Sequence, residues 1–310
     1  MSRAVVFAYH NVGVRCLKVL LAHGVEIPLI VTHTDNPSET IWFDSVAKLA
    51  ADYDIPFITP DDPNAPEVVA QVAAAKPEFL FSFYYRHMLK KGLLDAPAKG
   101  AFNMHGSLLP LYRGRVPVNW AVIRGEKETG ATLHVMNEKP DNGAIVDQQA
   151  IPILPDDTAF EVFNKVTCAA ELCLDRCLPG LLAGTADLKP QDLTQGGYFG
   201  GRKPEDGKID WKQSAGTIHN LVRAVAPPYP GAFTQLAGLP MRLLKTRLDA
   251  TRLARSGFPA FYCEGHGCYA ECGDGRVLRV LDFELDGRHL TAEEFVAWHG
   301  ADPVPFDLNF

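Results

Sequence analysis

The sequence predicts an α/β domain on a parallel sheet, followed by a small all-β barrel. Three observations carry this expectation. Up to Pro110, short apolar runs alternate with stretches whose apolar residues recur at helical period. One long amphipathic stretch then runs from Thr158 to Leu182. After Leu188 the texture changes to glycine-rich turns and short strands.

Residues 4–8, 27–31, 56–58, 79–83 and 100–103 read as buried strands. Between them, residues 14–23, 43–52 and 66–75 space their apolar side chains along one helical face. This alternation implies βαβ units and a parallel sheet covered on both sides. Such sheets bind ligands beyond the carboxyl ends of their strands, and Asn103 and His105 stand at one such end. Two more strands are expected at 131–136 and 144–152. The helix over 158–182 carries one wide apolar stripe that includes Val162, Val166, Cys173 and Cys177. Asp156 or Asp157 with Thr158 caps it, and Pro179-Gly180 marks a break or kink near its end.

Gln195-Gly196-Gly197 and Gly200-Gly201-Arg202-Lys203 read as a solvated, loop-rich connection. A short helix at 216–223 then precedes Pro227-Pro228-Tyr229-Pro230-Gly231. Strands are expected at 232–236, 241–248, 260–263, 268–272 and 277–283, a spacing that suggests a barrel. The division into domains falls between residues 1–204 and 205–310.

The 310 residues are 47% hydrophobic and 22% charged, the balance of an ordinary globular protein. No apolar run is long enough to span a bilayer, and the apolar start is too short for a signal peptide. A cytoplasmic protein with no membrane partner is therefore expected. The net charge of −7, with no long Lys or Arg cluster, argues against a nucleic-acid partner. Seven cysteines in a chain too large to need staples are expected to remain reduced. No coiled-coil repeat or interface stripe marks an oligomer.

The densest chemical signal is Phe102-Asn103-Met104-His105-Gly106-Ser107-Leu108-Leu109-Pro110, continuing through Tyr112-Arg113-Gly114-Arg115. Alternation along a strand puts residues 103 and 105 on one side, aiming an amide and an imidazole at one point. An amide N–H can hold a developing oxyanion and an imidazole can move a proton. A second signal is Asn137-Glu138-Lys139-Pro140-Asp141-Asn142-Gly143, an acid on a turn between two expected strands. A carboxylate beside a histidine raises its basicity and fixes its ring. Spacing alone leaves open whether the two segments meet, and whether Asn103 and His105 form a site or an ordinary strand end.

Together, Asn103-Met104-His105-Gly106-Ser107-Leu108-Leu109-Pro110 and Pro140-Asp141-Asn142-Gly143 resemble the signature of the 10-formyltetrahydrofolate-dependent formyltransferases. That family includes methionyl-tRNA formyltransferase and sugar N-formyltransferases. Val5-Val6-Phe7-Ala8-Tyr9-His10, Thr32-His33-Thr34-Asp35-Asn36-Pro37 and Phe81-Ser82-Phe83-Tyr84-Tyr85-Arg86-His87 resemble one member closely, as does Val222-Arg223-Ala224-Val225-Ala226. That member is the formyltransferase domain of the bifunctional enzyme that modifies UDP-4-amino-4-deoxy-L-arabinose for lipid A. The likeness spans nearly the whole chain and weakens after Ala250. It implies a Rossmann-like domain followed by an OB-like domain, with 10-formyltetrahydrofolate as cosubstrate and no metal. It also implies that Asn103 holds the oxyanion, that His105 donates a proton, and that Asp141 keeps His105 basic. Folate contacts are implied at His87, Met88, Leu89, Arg115 and the loop Asn137, Glu138, Lys139, Pro140, Asp141. Tyr9, His10 and Arg113 are the candidate contacts to the amine substrate.

Blander readings stand beside these. Tyr9-His10-Asn11-Val12-Gly13 lacks the Gly-x-Gly-x-x-Gly of a nicotinamide dehydrogenase, and no Walker A loop is present. His10 reads equally as a solvent-facing loop residue. Cys263, Cys268 and Cys272 with His266 have wider gaps than paired zinc ligands, and Gly265-His266-Gly267 reads as a hairpin turn. Cys173 and Cys177 read as core residues.

Within the family two amines compete, an initiator tRNA and a nucleotide-linked amino sugar. The acidic-polar stretch over residues 33–39 and the negative balance favour the sugar, with UDP-4-amino-4-deoxy-L-arabinose expected as acceptor. The bifunctional relative continues into a decarboxylating dehydrogenase domain, whereas these residues end at Phe310. The expectation is then a separate protein for that step, or a different 4-amino sugar. Methionyl-tRNA formyltransferase and a non-catalytic folate-binding protein stay open as alternatives.

Overall fold

Ala4-Val5-Val6-Phe7-Ala8 is apolar on both faces of an extended chain, so it must be covered from both sides. In the computed structural model all five are fully buried in strand β1 (Arg3–Ala8). The structure describes residues 2–308, so the outer ends of the two expected domain ranges lie outside the described residues. Helix α1 (His10–Ala22) follows at once, starting earlier than residue 14 because His10 and Asn11 add nothing to its apolar stripe. Next come β2 (Glu26–Val31), α2 (Val46–Asp52), β3 (Phe57–Ile58), α3 (Pro66–Ala74) and β4 (Phe79–Phe83). Ser45 starts α2 by accepting a bond from the Lys48 N–H, which leaves Trp42 and Phe43 outside the helix. A single turn, α4 (Lys91–Leu94), then leads into β5 (Ala101–His105), which extends through His105.

β1 pairs in parallel with both β2 and β4, β2 with β3, and β4 with β5. The order β3-β2-β1-β4-β5 reverses direction at β1, making a Rossmann-like switch point whose carboxyl ends carry Tyr9, Tyr84 and His105. After the two-residue β6 (Arg113–Gly114) and α5 (Pro117–Arg124), β7 (Glu128–Val135) and β8 (Ile145–Pro152) add an antiparallel edge. Helix α6 (Ala159–Ala183) is started by a reciprocal pair, Thr158 Oγ1 accepting from the Glu161 N–H and Glu161 accepting from the Thr158 N–H. The expected break at Pro179-Gly180 does not occur: the helix passes through both. A proline removes one helical bond, and the buried Leu174, Leu178 and Leu181 hold the last turns in place. The two-residue β9 (Tyr198–Phe199) then pairs in parallel with β6.

The chain divides into two compact units. The first holds residues up to Pro117, Glu128–Pro152 and Phe163–Gly200. The second holds Val118–Lys127, Ile153–Val162 and everything from Gly201 onward. In the second unit, α7 (Ala215–Val225) precedes β10 (Ala232–Leu236), β11 (Leu239–Leu253), β12 (Ala260–Glu264), β13 (Gly267–Glu271) and β14 (Arg276–Leu285). β15 (Arg288–His289), α8 (Ala292–His299) and β16 (Val304–Pro305) complete it. The antiparallel order is β10-β11-β14-β13-β12-β16, and a bridge between Leu236 and Phe306 joins its two ends, so the sheet curls upon itself. Its core stacks Trp211 on Phe306 at 3.6 Å, with the indole N–H donating to Thr234 at 2.9 Å. α8 is an element the apolar period misses. Its signal is the box Thr291-Ala292-Glu293-Glu294, in which Thr291 and Glu294 cap each other.

One expectation about the cysteines fails. Cys263 and Cys268 face each other across β12 and β13, with Cα atoms 4.1 Å apart, and are joined as a disulfide. The pairing follows from the hairpin turn at Gly265-His266, which brings two cysteines five residues apart into direct register. No helix among the described residues is long and apolar enough to cross a membrane.

Candidate active site

β5 ends in Asn103-Met104-His105, and β7 runs beside it with Asn103 opposite His134 and His105 opposite Thr132. The turn after β5 is pinned from β7 and β8. Thr132 Oγ1 donates to the Ser107 carbonyl at 2.6 Å and accepts from the Leu109 N–H at 3.1 Å. The Gln148 amide donates to the Leu109 carbonyl at 2.8 Å, and Ser107 Oγ to the Leu111 carbonyl at 2.6 Å. At Gly106 a Cβ would stand 1.9 Å from the Tyr84 hydroxyl, so a larger residue there would have to displace that ring.

Four polar side chains meet behind this turn. The Asp141 carboxylate lies 3.5 Å from His105 Nδ1 and 3.4 Å from His134 Nε2. It also accepts the Gly114 N–H at 2.8 Å. His105 Nε2 donates to the Tyr112 carbonyl at 2.8 Å, and Asn103 Nδ2 lies 3.1 Å from His134 Nε2. His105 and His134 are 6% and 2% exposed, so these charges sit where water screens them little. Burial alone would push the Asp141 carboxyl up. The His105 and His134 imidazoles, helped by the Gly114 amide, instead hold it well below the usual carboxylate range. Asp141 adopts a left-handed backbone (φ 53°), a conformation that aspartate tolerates better than most residues. A carbonyl can only accept, so His105 carries a proton on Nε2.

The segment over residues 189–199 straps this turn in place. The Gln191 amide donates to the Asp141 and Gly143 carbonyls at 3.1 and 2.6 Å, and the Tyr198 hydroxyl to the Pro140 carbonyl at 2.5 Å. β9 of the strap pairs with β6, whose Gly114 lies so close that a Cβ there would meet the Phe199 carbonyl at 2.3 Å. The expected loop-rich connection is present, with the two-residue β9 (Tyr198–Phe199) inside it. The strap's role leaves no signal in the sequence because its side-chain bonds to the Asp141 turn end on backbone carbonyls, which any residue offers.

The other expected residues separate into groups. The loop Asn137, Glu138, Lys139 and Pro140 is exposed, and Asn137 Oδ1 accepts the Lys139 N–H at 2.9 Å. Arg115 is exposed and its N–H donates to Phe199 at 2.9 Å. His87 and Met88 are exposed, with the Met88 carbonyl accepting from Asn64 at 2.9 Å. Leu89 is 2% exposed and packs into the core with Val5 and Leu80. Arg113 is a correction. Expected to reach substrate, it is 6% exposed, donates to the Leu193 and Gln195 carbonyls and lies over the Tyr198 ring. Its guanidinium anchors the strap.

Tyr9 is buried and donates to Asp35 at 2.7 Å, with Arg86 over its ring. His10 is no solvent-facing loop residue. It is the first residue of α1, stacked on Phe43 at 3.8 Å with the rings of Trp42 and Phe163 edge-on. Burial first, then the Arg86 charge, pushes its imidazole down to about 3, so it is neutral in ordinary conditions. Asp147, Cys173 and Cys177 place three potential ligand atoms within 4.8 Å of one another, but Arg176 donates to Asp147 at 2.8 Å and neutralises it. The sequence reading missed His134. It is the next-to-last residue of β7, and only the sheet register that sets it opposite Asn103 reveals it.

Two family models match the chain, Formyl transferase over residues 17–177 and Formyl transferase, C-terminal domain, over residues 202–300. Among solved structures it is similar to an N-formyltransferase from Helicobacter canadensis in complex with folinic acid and dTDP-3-aminofucose. That match has 20% identity and TM-score 0.70 over 90% of this chain and 99% of the other. It is also similar to WlaRD, a sugar 3N-formyl transferase solved in the presence of dTDP and 5-N-formyl-THF (21% identity, TM-score 0.69, 90% and 97% covered). A sugar N-formyltransferase from Shewanella sp FDAARGOS_354 matches over 77% of this chain and 95% of its own (20% identity, TM-score 0.62). At these identities the solved structures share a fold with the chain.

Proposed function

Since the chain belongs to the formyl transferase family, we propose that it moves a formyl group from 10-formyltetrahydrofolate to the amine of a nucleotide-linked amino sugar. The observation that carries this reading is the convergence of Asn103, His105 and Asp141 behind the turn after β5. The amine attacks as its neutral form, and the formyl carbon becomes tetrahedral while its oxygen gains charge. Asn103 donates an amide N–H to that oxygen, a role worth several kcal/mol at a preorganised site. His105, whose Nε2 meets the Tyr112 carbonyl and whose Nδ1 faces Asp141 at 3.5 Å, gives a proton to the oxygen or to the departing folate nitrogen by exchanging one of these partners for it. Asp141 stays ionised at working pH, stabilises the imidazolium and takes the proton lost by the amine.

The exposed residues Met88 and Arg115, with the exposed loop over residues 137–140 that leads into Asp141, are the proposed folate side. Tyr9 and His10, at the switch point, are the proposed sugar-nucleotide side. An amino sugar is favoured over tRNA by the net charge of −7, and by the dTDP-3-aminofucose and the dTDP that accompany two of the structural neighbours. The particular acceptor proposed is UDP-4-amino-4-deoxy-L-arabinose, from the motifs shared with that enzyme. The test incubates the protein and 10-formyltetrahydrofolate with this nucleotide, with dTDP-3-aminofucose and with initiator methionyl-tRNA, and measures each formylated product. Turnover of a sugar nucleotide is expected. Turnover of the tRNA alone would overturn the acceptor, and folate binding without any transfer would favour a non-catalytic role.

A further inference from the structure

We infer that Arg86 grips the diphosphate of the nucleotide, and that Glu39 is the latch it releases to do so. The inference rests on the proposed sugar-nucleotide acceptor. Such a substrate brings a diphosphate to a chain whose net charge is −7, so a cation must meet it locally. The place for that cation is the carboxyl edge of the parallel sheet, where β1, β2 and β4 end as neighbours. Arg86 stands there, in the turn that follows β4. Its guanidinium lies over the Tyr9 ring at 4.8 Å, on the proposed nucleotide side. The Arg86 N–H donates to His33 Nε2 at 3.1 Å, and the His33 ring stacks on Tyr85 at 4.1 Å. The backbone of Arg86 is thereby fixed beside the end of β2, while its side chain reaches solvent.

Glu39 holds that guanidinium, accepting from Nη1 at 2.9 Å. It lies in the segment between β2 and α2, which is tied to the switch point near both of its ends. On one side the Tyr9 hydroxyl donates to Asp35 at 2.7 Å. On the other the Asp44 N–H donates to Asn11 Oδ1 at 2.7 Å, and Phe43 stacks on His10. Between these ties Glu39 meets Arg86 as a pair of exposed charges, a contact that water and salt weaken. A diphosphate carries more charge than one carboxylate and accepts two guanidinium N–H groups at once. It therefore displaces Glu39 and frees the middle of the segment, while the outer ties stay in place.

The test is calorimetric titration of UDP, and of dTDP with the same diphosphate, into the wild type and its variants. Arg86→Gln should weaken UDP by about 10- to 100-fold, the range for hydrogen bonds to a charged group. Arg86→Lys keeps the charge without the two-pronged grip and should fall between the two. Glu39→Gln should tighten UDP by about 2- to 5-fold, because the competing ion pair is gone. On the Arg86→Gln background the same change should leave UDP affinity within about 1.5-fold, since no latch remains to open. The pattern should repeat with dTDP. Equal affinity in the wild type and Arg86→Gln would overturn the role of Arg86. Weaker binding by Glu39→Gln, or equal tightening on both backgrounds, would overturn the latch. Should Arg86→Gln not fold, Arg86→Lys and Glu39→Gln still decide, and wild-type affinity in both would overturn the inference. Arg86-dependent binding of UDP by a protein that transfers no formyl group would strike at the proposed function and leave this inference standing.

Discussion

Asn103 and His105 are legible as neighbours because a strand places every second residue on one side. Asp141 is legible only by resemblance, since no spacing rule brings residue 141 beside residue 105. The structure supplies the connection through His105, His134 and the Gly114 N–H, which all reach one carboxylate. His134 stays hidden in the sequence because a histidine on an alternating strand looks like any other sheet residue. The depressed Asp141 carboxyl has a consequence for stability. A carboxyl whose folded-state pKa is lowered stabilises the fold above its ordinary value near 3.9, and that stabilisation is lost as pH falls through the lowered value. Asp141→Asn should therefore unfold at lower urea concentration than the wild type at pH 7. The gap should narrow as the pH is taken from about 4 to about 2. A gap that stays constant over that range would mean that ionisation of Asp141 does not hold the turn.

Among elements, the buried runs of β1 and β4 and the stripe of α6 are readable because burial dictates residue type along their whole length. The strap over residues 189–199 is not, since Gln191 and Tyr198 reach backbone carbonyls that any sequence would offer. α5 escapes notice because Pro110 and Gly114 just before it suggest irregular chain, while Pro117 opens it as a first-turn residue. The turn these elements hold admits little change. At Gly143 a Cβ would stand 1.9 Å from the Val135 carbonyl, so Gly143→Ala should cost about 1–3 kcal/mol in urea unfolding. A stability equal to wild type would show that the turn can move. The hairpin of β12 and β13 makes a second prediction. Thiol titration of the denatured protein should count five groups without reductant and seven after reduction, because Cys263 and Cys268 are joined and five cysteines are free. Seven groups in both cases would show the pair to be open.

At the scale of the molecule, the switch point and the curled second sheet are what the alternation of periods and the later run of short strands imply. The contents of the two compact units are harder to see in a linear reading. Val118–Lys127 and Ile153–Val162 lie early in the chain yet group with the second unit, and segments that short carry no texture of their own. Charge acts at this scale too. A net −7 repels a polyanion such as tRNA but tolerates a small nucleotide gripped locally. The central claim is that Asn103, His105 and Asp141 catalyse formyl transfer to a sugar amine. It is tested most directly by comparing the wild type with His105→Ala on the sugar nucleotide that turns over best, with folate affinity measured alongside. Removing a general acid–base residue typically costs 10²- to 10⁴-fold. A loss of at least about 100-fold in kcat with folate affinity retained is the predicted result, and a variant as fast as the wild type would contradict the account.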